Sequence, residues 1–129
     1  MTPEITVLTL AALLWAVQFI AYLAVSHGKM DVNKAIGPRD TEIDRPGASG
    51  RMHRALSNLT EGLTLFAIAA LVITVTGQST SFTAAAAWIF LVARVIYVPA
   101  YALGWTPWRT IVWLVSFFAT VAMLLAALF

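Results

Sequence analysis

Two short segments of this sequence carry charged and polar side chains at helical spacing inside apolar stretches. In the first segment, RALSNLTE, Arg54, Asn58 and Glu61 stand at i, i+4 and i+7. Those intervals place the three side chains on one face of a helix. A guanidinium, an amide and a carboxylate on one face can bind a small polar ligand that carries several negative charges.

The second segment, ARVIYVPAY, has the same arrangement with aromatic side chains. Arg94, Tyr97 and Tyr101 stand at i, i+3 and i+7, so they also share one helix face. Arg109 follows at the start of the next apolar segment. Together these faces predict a cavity that is rich in hydrogen-bond donors and contains one buried acid.

The composition indicates the environment in which these side chains work. Of the 129 residues, 60% are hydrophobic and 11% are charged, and the mean hydropathy is +0.85. A soluble domain is about half apolar and about a quarter charged, so this chain belongs in a bilayer. The sequence has no cysteine, which excludes disulfides, cysteine nucleophiles and cysteine metal ligands. Any thiol chemistry therefore needs a bound thiol.

Four segments are apolar over the roughly 20 residues that a spanning helix needs. They are residues 5–25, 55–75, 82–103 and 108–129. The short connections TGQSTS and GWTP predict that the helices they join pack antiparallel. We therefore expect one all-α integral membrane domain over residues 1–129, a bundle of four transmembrane helices, with a polar, turn-rich loop over residues 26–50.

Lysine and arginine are distributed unevenly between the connections. Six of them lie in or beside the first loop and Arg109 lies beside the third, whereas both termini and the second loop carry none. The positive-inside rule therefore predicts cytoplasmic loops one and three and both termini outside. The same bias explains the net charge of +2, so no nucleic-acid partner is expected. His27 and His53 have no second donor at i+3 or i+4, so no metal site is expected.

The two polar segments reach the same depth in the membrane. Glu61 lies ten residues beyond Arg51, and Arg94 lies ten residues before Gly104, so each is about 15 Å from the cytoplasmic edge. A lone charge at that depth costs several kcal/mol, whereas a hydrogen-bonded ion pair is tolerated. We therefore expect Glu61 and Arg94 to form an ion pair, either within one chain or between subunits.

In these motifs the sequence resembles the MAPEG family, the membrane-associated proteins in eicosanoid and glutathione metabolism. The long loop GKMDVNKAIGPRDTEIDRPGASG looks like that of the family's bacterial members. The family's second-helix pattern of arginine, asparagine and glutamate is present with the family's spacing, and so is its third-helix pattern of arginine, aromatic residue and tyrosine. Arg109 matches a further arginine at the start of the last helix. Thr64 departs from the pattern, because family members often have proline there. The resemblance covers the whole chain.

The resemblance implies a homotrimer that binds glutathione between subunits near the cytoplasmic face. In the family the two patterns hold the tripeptide, which here implies the glutathione-binding residues Arg54, Asn58, Glu61, Arg94, Tyr97 and Tyr101. It also implies that Arg109 is the catalytic residue, since an arginine favours the charged form of a neighbouring thiol. The implied activity is that of a glutathione transferase or peroxidase in a bacterial inner membrane, surrounded by lipid, with glutathione as co-substrate and a lipophilic second substrate.

Two other functions agree with parts of this pattern. A non-catalytic membrane protein that binds a small anion or a lipid head group would use the same cavity and differ only at Arg109. A small multidrug transporter would rely on a carboxylate inside the first span, and ITVLTLAALLWAVQFIAYLAV has none. The polar residues also have structural interpretations. Glu61 and Arg94 would then only join helices, and the arginines at helix ends would only be membrane anchors.

Overall fold

The computed structural model describes residues 1–27, 47–103 and 107–129, and within them the chain forms four helices. These are α1 (Pro3–Ser26), α2 (Gly47–Val75), α3 (Ser81–Ala102) and α4 (Trp108–Leu128). All four are long and apolar enough to cross a membrane. The predicted fold class, an all-α integral membrane bundle, is therefore confirmed. Most of the predicted first loop lies outside the described residues, including Lys29, Lys34, Arg39 and Arg45. Gly104, at the start of the third connection, also lies outside them.

Helix α2 begins at Gly47, within the segment that we predict as a loop, and not near residue 55. Its first turns pack against the end of α1, where the hydroxyls of Ser26 and Ser49 are 2.5 Å apart. Met52 and Ala55 are buried in the same region. Packing against a neighbouring helix stabilises helical turns whose own sequence is polar. Hydropathy therefore identified the apolar part of α2 and missed its polar extension.

The turn between α2 and α3 is fixed by a helix-ending motif. The N–H of Gln78 donates to the carbonyl of Ile73 at 2.9 Å, and the N–H of Gly77 donates to that of Thr74 at 3.2 Å. Gly77 has a φ of +68°, a left-handed conformation that glycine adopts without strain. This geometry ends α2 sharply and returns the chain as the antiparallel helix α3.

The buried side chain of Glu4 joins the start of α1 to the start of α3. Its carboxylate accepts hydrogen bonds from the hydroxyl of Ser79 at 2.9 Å and from the hydroxyl of Thr83. Thr80 caps α3 by accepting from the backbone N–H of Thr83 at 3.2 Å. A buried carboxylate needs such donors because an unpaired one is strongly disfavoured in an apolar environment.

The apolar core fills the half of the bundle that includes the turn between α2 and α3. Phe66 of α2 and Phe90 of α3 stack at its centre with ring centroids 4.2 Å apart. The side chains around them are mostly small, which lets membrane helices approach closely. The other core residues are Val7, Ala11, Ala69, Ala70, Ile73, Ala86, Ala87, Ala119 and Met123. The polar residues of both motifs therefore lie in the other half of the bundle.

Candidate functional site

The central contact of the site joins α2 to α3. Nη1 of Arg94 donates a hydrogen bond to Oδ1 of Asn58 at 2.8 Å. Arg94 is only 1% exposed. Gly62 lies beside its guanidinium, since a Cβ added to this glycine would be 3.8 Å from Nη1. The two segments that we predict to lie at the same depth in the membrane are therefore in contact, through the hydrogen bond between Arg94 and Asn58.

Two tyrosines extend this contact toward the end of α3. The Cζ atom of Arg94 is 4.5 Å from the ring centroid of Tyr97, and the rings of Tyr97 and Tyr101 are 5.5 Å apart. The hydroxyl of Tyr101 accepts a hydrogen bond from Nε of Arg54 at 2.9 Å. The predicted aromatic face of α3 is thus in contact with the predicted polar face of α2.

Arg109 joins the same cluster from the first turn of α4. Its Cζ atom is 5.1 Å from the ring centroid of Tyr101, and its side chain is half-buried. Tyr101 therefore contacts two guanidinium groups, one through its hydroxyl and one through its ring. Two cations held at one phenol produce a positive potential that favours an anion beside them.

Glu61 lies apart from these contacts and is exposed on the surface of the single chain. The predicted ion pair is wrong within one chain, because Arg94 bonds to Asn58 and, among the described residues, its Nε and Nη2 are buried without a partner. The reason is the rotation of α2, which turns Asn58 and Gly62 toward α3 and leaves Glu61 to one side. An ion pair between subunits stays a prediction.

A cavity of about 200 Å³ opens beside this contact, between α2, α3 and α4. Glu61 and Arg94 line it, and α4 contributes the hydroxyls of Ser116 and Thr120. Both hydroxyls are buried and donate to carbonyls of their own helix, so their oxygens remain able to accept hydrogen bonds. The sequence analysis missed these two residues. Ser116 and Thr120 lie seven and eleven residues after Arg109, which places all three on one face of an apolar helix. This spacing is the sequence signal that could have identified them.

The arrangement provides two kinds of binding surface next to each other. The end of the bundle near Tyr101 has guanidinium donors for an anion, and the deeper cavity has a carboxylate and hydroxyl oxygens that can accept hydrogen bonds from a ligand. Within the described residues, no group of three or more His, Asp or Glu side chains could hold a metal ion.

Comparisons with known proteins identify the family. No curated protein matches this sequence. The sequence model of the MAPEG family matches residues 4–129, which includes every residue of the two motifs and all four helices except Pro3 at the start of α1. The chain belongs to the MAPEG family.

Proposed function

We propose that this protein is a membrane-bound glutathione transferase or peroxidase that activates the glutathione thiolate against lipophilic electrophiles or hydroperoxides. The observation that carries the proposal is the contact of Tyr101 with both Arg54 and Arg109, beside the buried Arg94. This cluster concentrates positive charge at the edge of a membrane-spanning bundle. It is the type of site that a water-soluble, anionic thiol needs in order to meet an apolar substrate.

The charges of the site complement those of glutathione. The tripeptide carries carboxylates, an ammonium group and a thiol. Guanidinium groups of Arg54 and Arg94 pair with carboxylates, while the carboxylate of Glu61 is the acceptor available for the ammonium group. The cavity beside Arg94 gives one end of the peptide a place below the surface of the bundle.

Arg109 supplies the chemical step in this proposal. Its positive charge favours the thiolate over the thiol, which lowers the pKa of the bound thiol toward neutral pH. The thiolate sulfur then forms a bond to an electrophilic carbon and a leaving group departs. With a hydroperoxide, the sulfur instead takes the terminal oxygen and an alcohol departs. Catalysis comes mainly from holding both reactants together and stabilising the sulfur charge.

We further propose that the functional unit is a homotrimer, as the family resemblance implies. In the single chain, Ser57, Glu61 and Thr64 are exposed on α2 at membrane depth. Polar groups that face lipid are disfavoured, so another copy of the chain is the natural cover for this stripe. Such a copy would also bring a carboxylate near the unpartnered nitrogens of Arg94.

The orientation belongs to the same proposal. The predicted topology places Arg54 and Arg109 at the cytoplasmic face of a bacterial inner membrane, with both termini outside. Glutathione would then enter from the cytoplasm, and the lipophilic substrate would enter from the bilayer.

The test is glutathione binding to detergent-purified protein, followed by the ultraviolet absorbance of the thiolate near neutral pH. We expect a thiolate signal in the wild type and its loss in Arg109→Ala, with binding retained. Thr110→Ala is the matched control, because Thr110 is the exposed neighbour of Arg109 on α4. Failure of the wild type to bind millimolar glutathione would contradict the proposal. Binding without any thiolate signal would favour a non-catalytic protein that binds a small anion.

A further inference from the structure

Helix α3 contains a proline one turn before its end. Pro99 has no N–H to donate to the carbonyl of Val95, and its ring crowds that carbonyl. The helix nevertheless continues to Ala102, and the N–H of Leu103 donates to the carbonyl of Pro99 at 2.9 Å. The helical turn that carries Tyr101 is therefore joined to the rest of α3 through a weakened hydrogen-bond ladder.

The proline lies on the face of α3 that is opposite to the site. At about 100° per residue, Tyr97 and Tyr101 are each about 160° around the helix from Pro99, and Arg94 is about 140° away. Burial agrees with this geometry, since Pro99 is exposed while Arg94 and Tyr97 are buried. Val95, four residues before the proline, is 50% exposed on the same outer face as Pro99.

A proline in a helix causes a bend whose direction follows from the crowding. The backbone hydrogen bonds open on the side of the helix that carries the proline, because its ring clashes with the carbonyl four residues earlier. The helix axis therefore tilts toward the opposite face. In α3 that opposite face carries Tyr101, which bonds to Arg54 and lies under Arg109. A bend in this direction moves the last turn toward α2 and α4.

We propose that Pro99 bends α3 and thereby holds Tyr101 within reach of Arg54 and Arg109, which makes it a positioning residue for thiol activation. The inference rests on the proposed function. It also divides the site into two parts. Arg94 precedes the proline and keeps its contact with Asn58 when the bend is removed, whereas Tyr101 follows the proline and loses its contacts. Pro99 thus acts on activation of the thiol and on the Tyr101 part of the binding surface, but not on the Arg94 part.

The experiment compares the full-length wild type with Pro99→Ala. Alanine is the best helix former, so the variant is expected to fold with α3 straightened. The matched control is Pro3→Ala in the first turn of α1, where a missing N–H removes no helical hydrogen bond. Glutathione affinity and the thiolate absorbance are measured across pH in all three proteins.

In Pro99→Ala we expect glutathione to bind more weakly, because Arg54 and Tyr101 belong to the proposed binding residues, but still to bind through Arg94. The pKa of the bound thiol should rise by about one unit, which reduces the thiolate fraction below that pKa about tenfold. Pro3→Ala should match the wild type in both measurements. A thiolate titration of Pro99→Ala that coincides with that of the wild type would overturn the inference.

A second measurement does not depend on glutathione. Tyr101→Phe removes the hydroxyl that accepts from Arg54, so it should lower the thermal unfolding midpoint in the wild-type background. In the Pro99→Ala background the same substitution should have no effect, since the contact is already lost. An equal drop in both backgrounds would refute the role of Pro99. An absent thiolate in the wild type, together with the expected cycle, would refute the proposed function and the link to thiol activation, and would leave Pro99 as the residue that positions Tyr101.

Discussion

The hydroxyl of Tyr101 accepts a hydrogen bond from Nε of Arg54 at 2.9 Å, and this contact joins the last turn of α3 to α2. The ring of the same tyrosine lies under the guanidinium of Arg109. One side chain therefore connects three helices at the positive end of the bundle.

Arg109→Ala should reduce glutathione-dependent turnover at neutral pH by about 100-fold or more, because the charge that stabilises the thiolate is lost. Turnover of the variant should recover as pH rises, since the free thiol then ionises without help. Arg109→Lys should retain more activity than Arg109→Ala. The measurement is the pH profile of kcat/KM with a generic electrophile, and a profile identical to that of the wild type would remove Arg109 from the mechanism.

Asn58→Ala should lower the free energy of unfolding by about 1–3 kcal/mol, because it leaves the buried guanidinium of Arg94 without its hydrogen-bond acceptor. Unfolding in mixed detergent micelles measures this change. Thr110→Ala is the control, since Thr110 is exposed on α4 and lies outside the polar stripe of α2. Equal stability of Asn58→Ala and Thr110→Ala would show that the Asn58 contact contributes nothing.

Glu61 and Arg94 should be coupled across subunits. Glu61→Ala alone should destabilise the assembled protein, and Arg94→Ala combined with it should recover part of the loss. The free energies of unfolding of the wild type, the two single variants and the double variant, measured together with oligomeric state, report the coupling. Simple additivity of the two losses would argue against contact between these residues in the assembly.

Glu4→Ala should destabilise the bundle without changing thiol activation. The substitution removes the acceptor shared by Ser79 and Thr83, at an expected cost of about 1–3 kcal/mol. Those contacts lie at the opposite end of the helices from Arg109. The unfolding midpoint should therefore fall while the thiolate titration of bound glutathione stays as in the wild type, and a shifted titration would show that the two ends communicate.

Local sequence determined the parts of this protein that depend on periodicity and hydropathy. Apolar segments of sufficient length determined the four helices. In lipid no water is present to bond the backbone N–H and C=O groups, and a helix bonds them within one segment. The spacing of Arg94, Tyr97 and Tyr101 determined that they share a face, and the structure shows them in contact along it. The family resemblance rested on the same spacings and was confirmed over residues 4–129.

The tertiary structure alone decided which partner each face meets. The depth of Glu61 and Arg94 predicted a pair, yet the rotation of α2 presents Asn58 to the guanidinium instead. Packing against α1 extends α2 to Gly47, and the approach of α4 adds Ser116 to the cavity. The physical reason is that periodicity defines the faces of one helix, whereas the rotation and approach of its neighbours follow from packing between helices.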